Sequence, residues 1–140
     1  MNHLYPLLSL SPSKQDHQML REILEGSPWL IRETHSLRSA LQILEEYRIP
    51  LAICERDLHP GTWKDLLEQI ALVPNPPCVI VASRQADERL WIEALSAGAY
   101  DVLAKPFNRA ELHRTLSDAW QHWHHERAEE GAAKAMAAAG

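Results

Sequence analysis

Five short apolar runs divide the chain, and each run is followed by a segment in which apolar residues recur at helical spacing. The runs are YPLLSL at 5–10, WLI at 29–31, LAIC at 51–54, CVIVA at 78–82 and DVLA at 101–104. In the segments between them apolar residues return every three or four positions, which is the period of one face of an α-helix. The pattern therefore predicts five strands that alternate with five helices.

A residue able to cap a helix N-terminus stands before each predicted helix. Ser, Thr, Asp and Asn are favoured there because their side-chain oxygen accepts a hydrogen bond from a free backbone N–H group. The five candidates are Ser13, Ser36, Thr62, Asp87 and Asn108. The helix boundaries are therefore predicted by capping as well as by apolar spacing.

The strand runs are apolar without alternation, as in CVIVA at 78–82. Such runs are typical of parallel strands that helices cover on both faces. Successive strand–helix units predict an α/β fold with one parallel sheet between two layers of helices. At 140 residues the chain makes one domain, which we expect at 1–126. The Ala-rich segment 127–140 is expected to be a C-terminal extension of the last helix or a disordered tail.

Charge and cysteine content exclude some functions. A formal charge of -5 and a pI of about 5.9 give no basic surface for nucleic acid. We expect no export signal and no membrane span, and hence a cytoplasmic protein. Cys54 and Cys78 lie within apolar runs and are interpreted as reduced core residues. No glycine-rich phosphate loop follows a strand.

Candidate chemistry is concentrated after the third apolar run, where Glu55 and Asp57 follow LAIC. In open parallel sheets, ligands bind at the carboxyl ends of the strands. Glu55 and Asp57 are therefore expected at the edge of the sheet where a site forms.

The segment GAYDVLAKPF at 98–107 resembles the end of a two-component response-regulator receiver domain, and VIVAS at 79–83 resembles the fourth strand of that family. The resemblance covers about residues 5–125. It implies a flavodoxin-like sheet with strand order 2-1-3-4-5, five helices and, here, an extended last helix. It also implies a site made of a phosphate-accepting aspartate, an acidic pair that holds magnesium, a hydroxyl residue and a lysine.

Carried over onto this chain, the lysine of the family is Lys105 and the hydroxyl residue is Ser83. Ser11 and Pro12 stand where the acidic pair belongs, so we expect weak or absent Mg²⁺ binding and no metal site. Glu55 stands at the phosphate-accepting position, with Asp57 as the alternative acceptor and the only additional carboxylate expected nearby. Pro106 is the candidate cis-proline.

The resemblance also points to a switch region. Val102 occupies the position of the family's switch aromatic residue, and Tyr100, two residues earlier, is expected on the same side of an alternating strand. Arg84 adds a cation to the rim of the site, where it could pair with Glu55 or Asp57. The remaining expected contact is an ion pair between Glu55 and Lys105.

The last predicted helix carries two further candidates. His122 and His125 share one helical face with His124 between them, but two histidines make a weak metal site, and solvated residues are the preferred interpretation. Trp120 and Trp123 continue the apolar stripe beyond the length that the sheet can cover. We expect Trp120 to be partly buried and Trp123 to be central to a homodimer or to partner docking. The alternative is that Trp123 folds back onto the first helix or the sheet edge.

Together these features predict a stand-alone atypical receiver, or pseudo-receiver, that is not an enzyme. It would act as a phosphorylation-independent interaction module and bind no cofactor. Its expected partners are proteins, such as a histidine kinase or a downstream regulator. The alternatives are a working receiver that accepts phosphate on Asp57 and, less favoured, a flavodoxin-like flavin carrier.

Overall fold

The computed structural model describes residues 4–139. Its five strands are β1 Tyr5–Leu10, β2 Trp29–Thr34, β3 Leu51–Glu55, β4 Cys78–Ser83 and β5 Asp101–Ala104. Its five helices are α1 Lys14–Leu24, α2 Leu37–Glu46, α3 Trp63–Ile70, α4 Glu88–Ser96 and α5 Arg109–Ala139. All strand pairs are parallel and the order is β2-β1-β3-β4-β5, which confirms the predicted flavodoxin-like α/β fold.

The predicted capping residues bind the helix N-termini. The Ser13 and Ser36 side chains accept backbone hydrogen bonds from Asp16 and Ser39, and Asn108 accepts one from Glu111. Thr62 and Asp65 form a reciprocal capping box at α3. These contacts satisfy donors that would otherwise lack a partner, and they define where each helix leaves the sheet.

Strand β2 is longer than the apolar pattern predicts. Arg32, Glu33 and Thr34 continue it and pair with Leu8, Ser9 and Leu10 of β1. Because β2 is an edge strand, Arg32 and Glu33 reach solvent while Thr34 is buried at its end, so apolar content alone underestimates its length.

The core has two layers, one on each face of the sheet. Helices α2, α3 and α4 cover one face, where Trp63, Leu66 and Leu90 pack against the strands. Helices α1 and α5 cover the other, where Leu20, Leu112 and Leu116 are buried. The central strand β3 is buried along its whole length, and its carboxyl end is therefore a sheltered position.

Helix α5 continues as one helix to Ala139. Every residue from 128 to 139 is exposed. None of the helices within residues 4–139 is long and apolar enough to cross a membrane.

The structure corrects the expected exposure of Trp123, whose side chain is 3% exposed. Its indole N–H donates a hydrogen bond of 2.9 Å to the carbonyl oxygen of Pro76. The proline-rich connection between α3 and β4 covers α5 beyond the sheet, so the stripe does not overhang in solvent at this point. Trp120 is partly buried and packs against Tyr5, with ring centroids 4.8 Å apart.

Replacing Trp123 tests this packing. Trp123→Phe keeps an aromatic ring but removes the indole donor, and we expect it to lower the free energy of unfolding by about 1 kcal/mol. Trp123→Ala should lower it by about 3–5 kcal/mol because a large buried side chain is lost. Urea unfolding followed by circular dichroism measures both.

Trp91→Ala is the matched control, since Trp91 of α4 is 48% exposed. It should change stability much less than Trp123→Ala. Equal losses in the two alanine variants would contradict the burial of Trp123.

Candidate functional site

The candidate site lies at the carboxyl ends of the strands. Glu55 is the last residue of β3, Ser83 is the last of β4, and Lys105 follows β5 directly. Ser11 follows β1. Because adjacent parallel strands end at the same edge, these four residues converge although they are distant in sequence.

The Lys105 ammonium lies between two carboxylates. It contacts the Glu55 Oε1 atom and is 2.7 Å from the Asp16 Oδ2 atom. The Lys105, Asp16 and Glu55 side chains are only 6%, 9% and 10% exposed. One buried cation is thus shared by two buried anions from α1 and β3.

Asp16 is the site residue that the sequence analysis missed, and the expectation that Asp57 is the only additional carboxylate nearby is wrong. Asp16 lies in the first turn of α1, where its backbone N–H donates to the Ser13 cap. The sequence feature that could have identified it is helical spacing, because Asp16 lies on the same face of α1 as the buried residues Leu20 and Ile23. A carboxylate on that face points toward the sheet.

The environment of Asp16 favours its charged form. Burial by itself would raise the pKa of this carboxyl group. Hydrogen bonds donated by Lys105 and by the Ser11 hydroxyl, with the positive charges of Lys105 and Arg84, outweigh burial and hold the pKa below its ordinary value. The Ser11 Oγ to Asp16 Oδ2 distance is 2.7 Å.

Both Glu55 oxygens have partners. Oε1 accepts from Lys105, and Oε2 accepts from the backbone N–H of Asp57 at 2.7 Å. Asp57 lies in the loop after β3, and its side chain is exposed. The structure therefore brings Glu55 into the buried network and leaves the Asp57 carboxylate outside it.

Ser83 is 2% exposed, and its hydroxyl accepts the backbone N–H of Gln85 at 3.0 Å. Its carbonyl oxygen accepts the backbone N–H of Lys105 at 2.9 Å, which fixes the start of the Lys105 side chain. Arg84 is exposed and, within residues 4–139, forms no ion pair with Glu55 or Asp57. It lines a surface cleft of about 370 Å³ together with Asp16 and Lys105.

A buried histidine, also missed, supports the Ser11 side of the site. His17 is 1% exposed and bonds the Ser9 hydroxyl and the Ser11 carbonyl, both at 2.9 Å. It holds the β1–α1 connection in place, from which the Ser11 hydroxyl reaches Asp16.

The two candidate switch residues do not share a side of the sheet. Val102 is 9% exposed in the core layer of α2, α3 and α4. Tyr100 precedes β5 and packs in the other layer, 5.3 Å from His122 between ring centroids, where burial raises the pKa of its hydroxyl. The expectation of a shared side is wrong because strand alternation does not extend to a residue outside the strand.

Pro106 borders the site, lining the same cleft as Lys105, whereas the predicted histidines lie on α5. The Lys105–Pro106 peptide bond is cis, as is the His59–Pro60 bond. His122 and His125 each pair with a glutamate one helical turn on, at 3.2 and 3.1 Å. No group of three or more His, Cys, Asp or Glu residues within 4–139 has the arrangement of a metal site.

Comparison with known proteins identifies the fold family. A family model described as the response regulator receiver domain matches residues 14–117. The transcriptional regulatory protein ZraR of Escherichia coli is 31% identical over 107 residues, which are 76% of this chain and 24% of that protein. KdpE, the KDP operon transcriptional regulatory protein of Escherichia coli, is 32% identical over 99 residues, 71% of this chain and 44% of that protein. The chain thus spans less than half the length of these curated relatives.

Solved structures agree with this match. The signal receiver domain of an HD domain-containing protein from Pseudomonas fluorescens is 26% identical with a TM-score of 0.81, covering 91% of this chain and 94% of that one. A CheY-like receiver domain protein from Methanospirillum hungatei, 20% identical with a TM-score of 0.77 over 88% of this chain and 98% of that one, shares the fold. From the strand order, the converging strand-end residues and these matches, the chain belongs to the response regulator receiver domain family.

Proposed function

We propose that this receiver domain acts as a phosphorylation-independent interaction module in two-component signalling, and not as an enzyme. The observation that carries the proposal is the buried network in which the single Lys105 ammonium group is shared by the Asp16 and Glu55 carboxylates. The lysine that the family resemblance assigns to a phosphoryl group already has two carboxylate partners here. The fixed Glu55 charge partly imitates an acylated aspartate, with less charge and fewer acceptor oxygens than a phosphoryl group.

The residues present do not fit a magnesium ion. Mg²⁺ requires near-octahedral oxygen coordination and usually keeps several of its waters. The enclosed cavity bordered by Asp16, Glu55 and Lys105 is about 10 Å³, which is about the volume needed for one water molecule. The larger cleft outside it is lined by Asp16 and Lys105 but not by Glu55. Both carboxylates already share the one ammonium group, and Ser11 and Pro12 supply no further charge.

The chemical test is incubation with Mg²⁺ and acetyl phosphate, followed by intact-mass measurement. We expect no added phosphoryl group, because Glu55 occupies the strand end and the Asp57 carboxylate lies outside the buried network. The alternative, phosphate acceptance on Asp57, predicts an adduct that Asp57→Asn abolishes. Asp118→Asn, an exposed aspartate on α5, is the matched control and should retain any such adduct. An adduct lost only in Asp57→Asn would refute the proposal.

The network itself is tested by a double-mutant cycle of Glu55→Gln and Lys105→Met. Lys105→Met strands two buried carboxylates, so it should lower the free energy of unfolding by about 3 kcal/mol and more than Glu55→Gln does. The loss of stability in the double variant should be smaller than the sum of the two single losses, since only one carboxylate remains unpaired. Chemical denaturation of the four proteins gives the coupling.

Two controls belong to this cycle. The exposed pair Lys64–Glu93 should show no comparable coupling in the same design, because solvent screens it.

Since the Asp16 pKa is lowered in the folded state, the contribution of its ion pair is present at neutral pH and lost as the pH falls through that pKa. The cost of Lys105→Met should therefore shrink below about pH 4. Additive losses, or a cost that grows in acid, would contradict the network.

Because Trp123 is buried, the proposed docking surface is on α4 instead. Trp91 and Ile92 are adjacent on α4 and are 48% and 54% exposed, whereas Trp123 is buried. Exposed tryptophan is favoured at the centre of protein interfaces, and the resemblance points to the face formed by α4, β5 and α5. A second copy of this chain is the proposed occupant.

Sedimentation, which measures the state of association, tests the docking proposal. We expect a concentration-dependent dimer in the wild type and weaker association in Trp91→Ala, with Trp123→Phe as the control that leaves the surface intact. A dimer that persists unchanged in Trp91→Ala refutes this surface. A wild type that stays monomeric at high concentration refutes self-association.

A further inference from the structure

A second pocket lies at the opposite end of the sheet from Lys105. Its volume is about 620 Å³, within the range of small-molecule sites. Tyr5 and Pro50 contribute to it where β1 and β3 begin, and α5 forms the facing wall. Because a six-residue strand is roughly 20 Å long, this pocket is separate from the network at the carboxyl ends.

Tyr5 and Trp120, both partly buried, give the pocket an aromatic wall, whereas the Trp123 ring is only 3% exposed and has the Arg48 and Arg127 guanidinium groups near it. Trp123 is held by its hydrogen bond to Pro76, and the Trp120 ring packs 4.8 Å from that of Tyr5 and 4.0 Å from that of His124. These contacts fix the rings before any ligand arrives, which reduces the ordering cost of binding. Such a wall favours a planar apolar ligand.

The charged residues that line the pocket are two arginines, Arg48 and Arg127. His124 also lines it, and no carboxylate is among its lining residues within 4–139. The Arg48 and Arg127 guanidinium carbons lie 5.1 and 5.3 Å from the Trp123 ring centroid. This is a basic cavity on a chain whose formal charge is -5.

Only one of the two arginines is neutralised by the protein. Arg127 has the carboxylates of Glu126 and Glu130 at 3.4 and 3.6 Å. Arg48 is exposed and forms no ion pair with any residue from 4 to 139. A guanidinium group can donate two parallel hydrogen bonds to a carboxylate. Arg48 is therefore suited to bind one carboxylate of a ligand.

We propose that this pocket binds a small aromatic carboxylate, with the ring against Tyr5 and Trp120 and the carboxylate on Arg48. The occupant joins the start of β1 and the segment before β3 to α5. It therefore ties the helix that continues to Ala139 to the body of the domain, at a point independent of the Lys105 network.

The test compares 2-naphthoate with its neutral analogue 2-naphthamide by isothermal titration calorimetry on the whole chain. We expect the acid to bind at least about tenfold more tightly than the amide, because a charge-assisted hydrogen bond distinguishes them. Arg48→Gln should abolish most of this preference. Arg38→Gln removes the same charge from an exposed position on α2 outside the pocket and should preserve it.

The location is read from the indole N–H signals in a ¹⁵N–¹H correlation spectrum, assigned with Trp120→Phe and Trp123→Phe. Addition of 2-naphthoate should shift the Trp120 and Trp123 signals. Equal affinity for acid and amide, an unchanged preference in Arg48→Gln, or shifts confined to residues around Lys105 would each overturn the proposal. Absence of binding at millimolar 2-naphthoate would overturn it as well.

Discussion

The ammonium of Lys105, held between the Asp16 and Glu55 carboxylates, is the interaction on which the functional edge of this domain depends. Two buried carboxylates this close to one cation would repel each other if the cation were removed. The three side chains come from α1, β3 and the end of β5, so their ion pairs join elements that are far apart in sequence. Removal of any one charge leaves another buried without its full complement of partners.

Neighbouring hydrogen bonds make that arrangement specific. The Ser11 hydroxyl donates to Asp16, the Asp57 backbone N–H donates to Glu55, and the Ser83 carbonyl accepts from the Lys105 backbone. Each contact satisfies a polar group in a region with little access to water, where an unpaired group is costly. The strand ends of this receiver fold are thus occupied by the protein's own charges.

The two ends of the sheet differ in chemistry. The carboxyl end carries a compact ionic network beside an open cleft, whereas the amino end carries an aromatic pocket with an arginine that has no carboxylate partner within residues 4–139. Helix α5 runs past the amino end because Trp123 is covered by the proline-rich connection before β4. The same helix continues as an exposed extension, so its packing at this pocket sets where the extension leaves the domain.

Periodicity and capping residues were enough to predict the order of strands and helices, and the end of the third apolar run was enough to place Glu55 at the sheet edge, because these features are local or follow from parallel strand alignment. Ser83 and Lys105 were assigned through the family resemblance of VIVAS and GAYDVLAKPF. The entry of Asp16 into the site and the burial of Trp123 became visible only in the folded chain. Both depend on how a helix docks against distant segments, α1 against Lys105 and α5 against Pro76, and such contacts leave only a weak trace in local sequence.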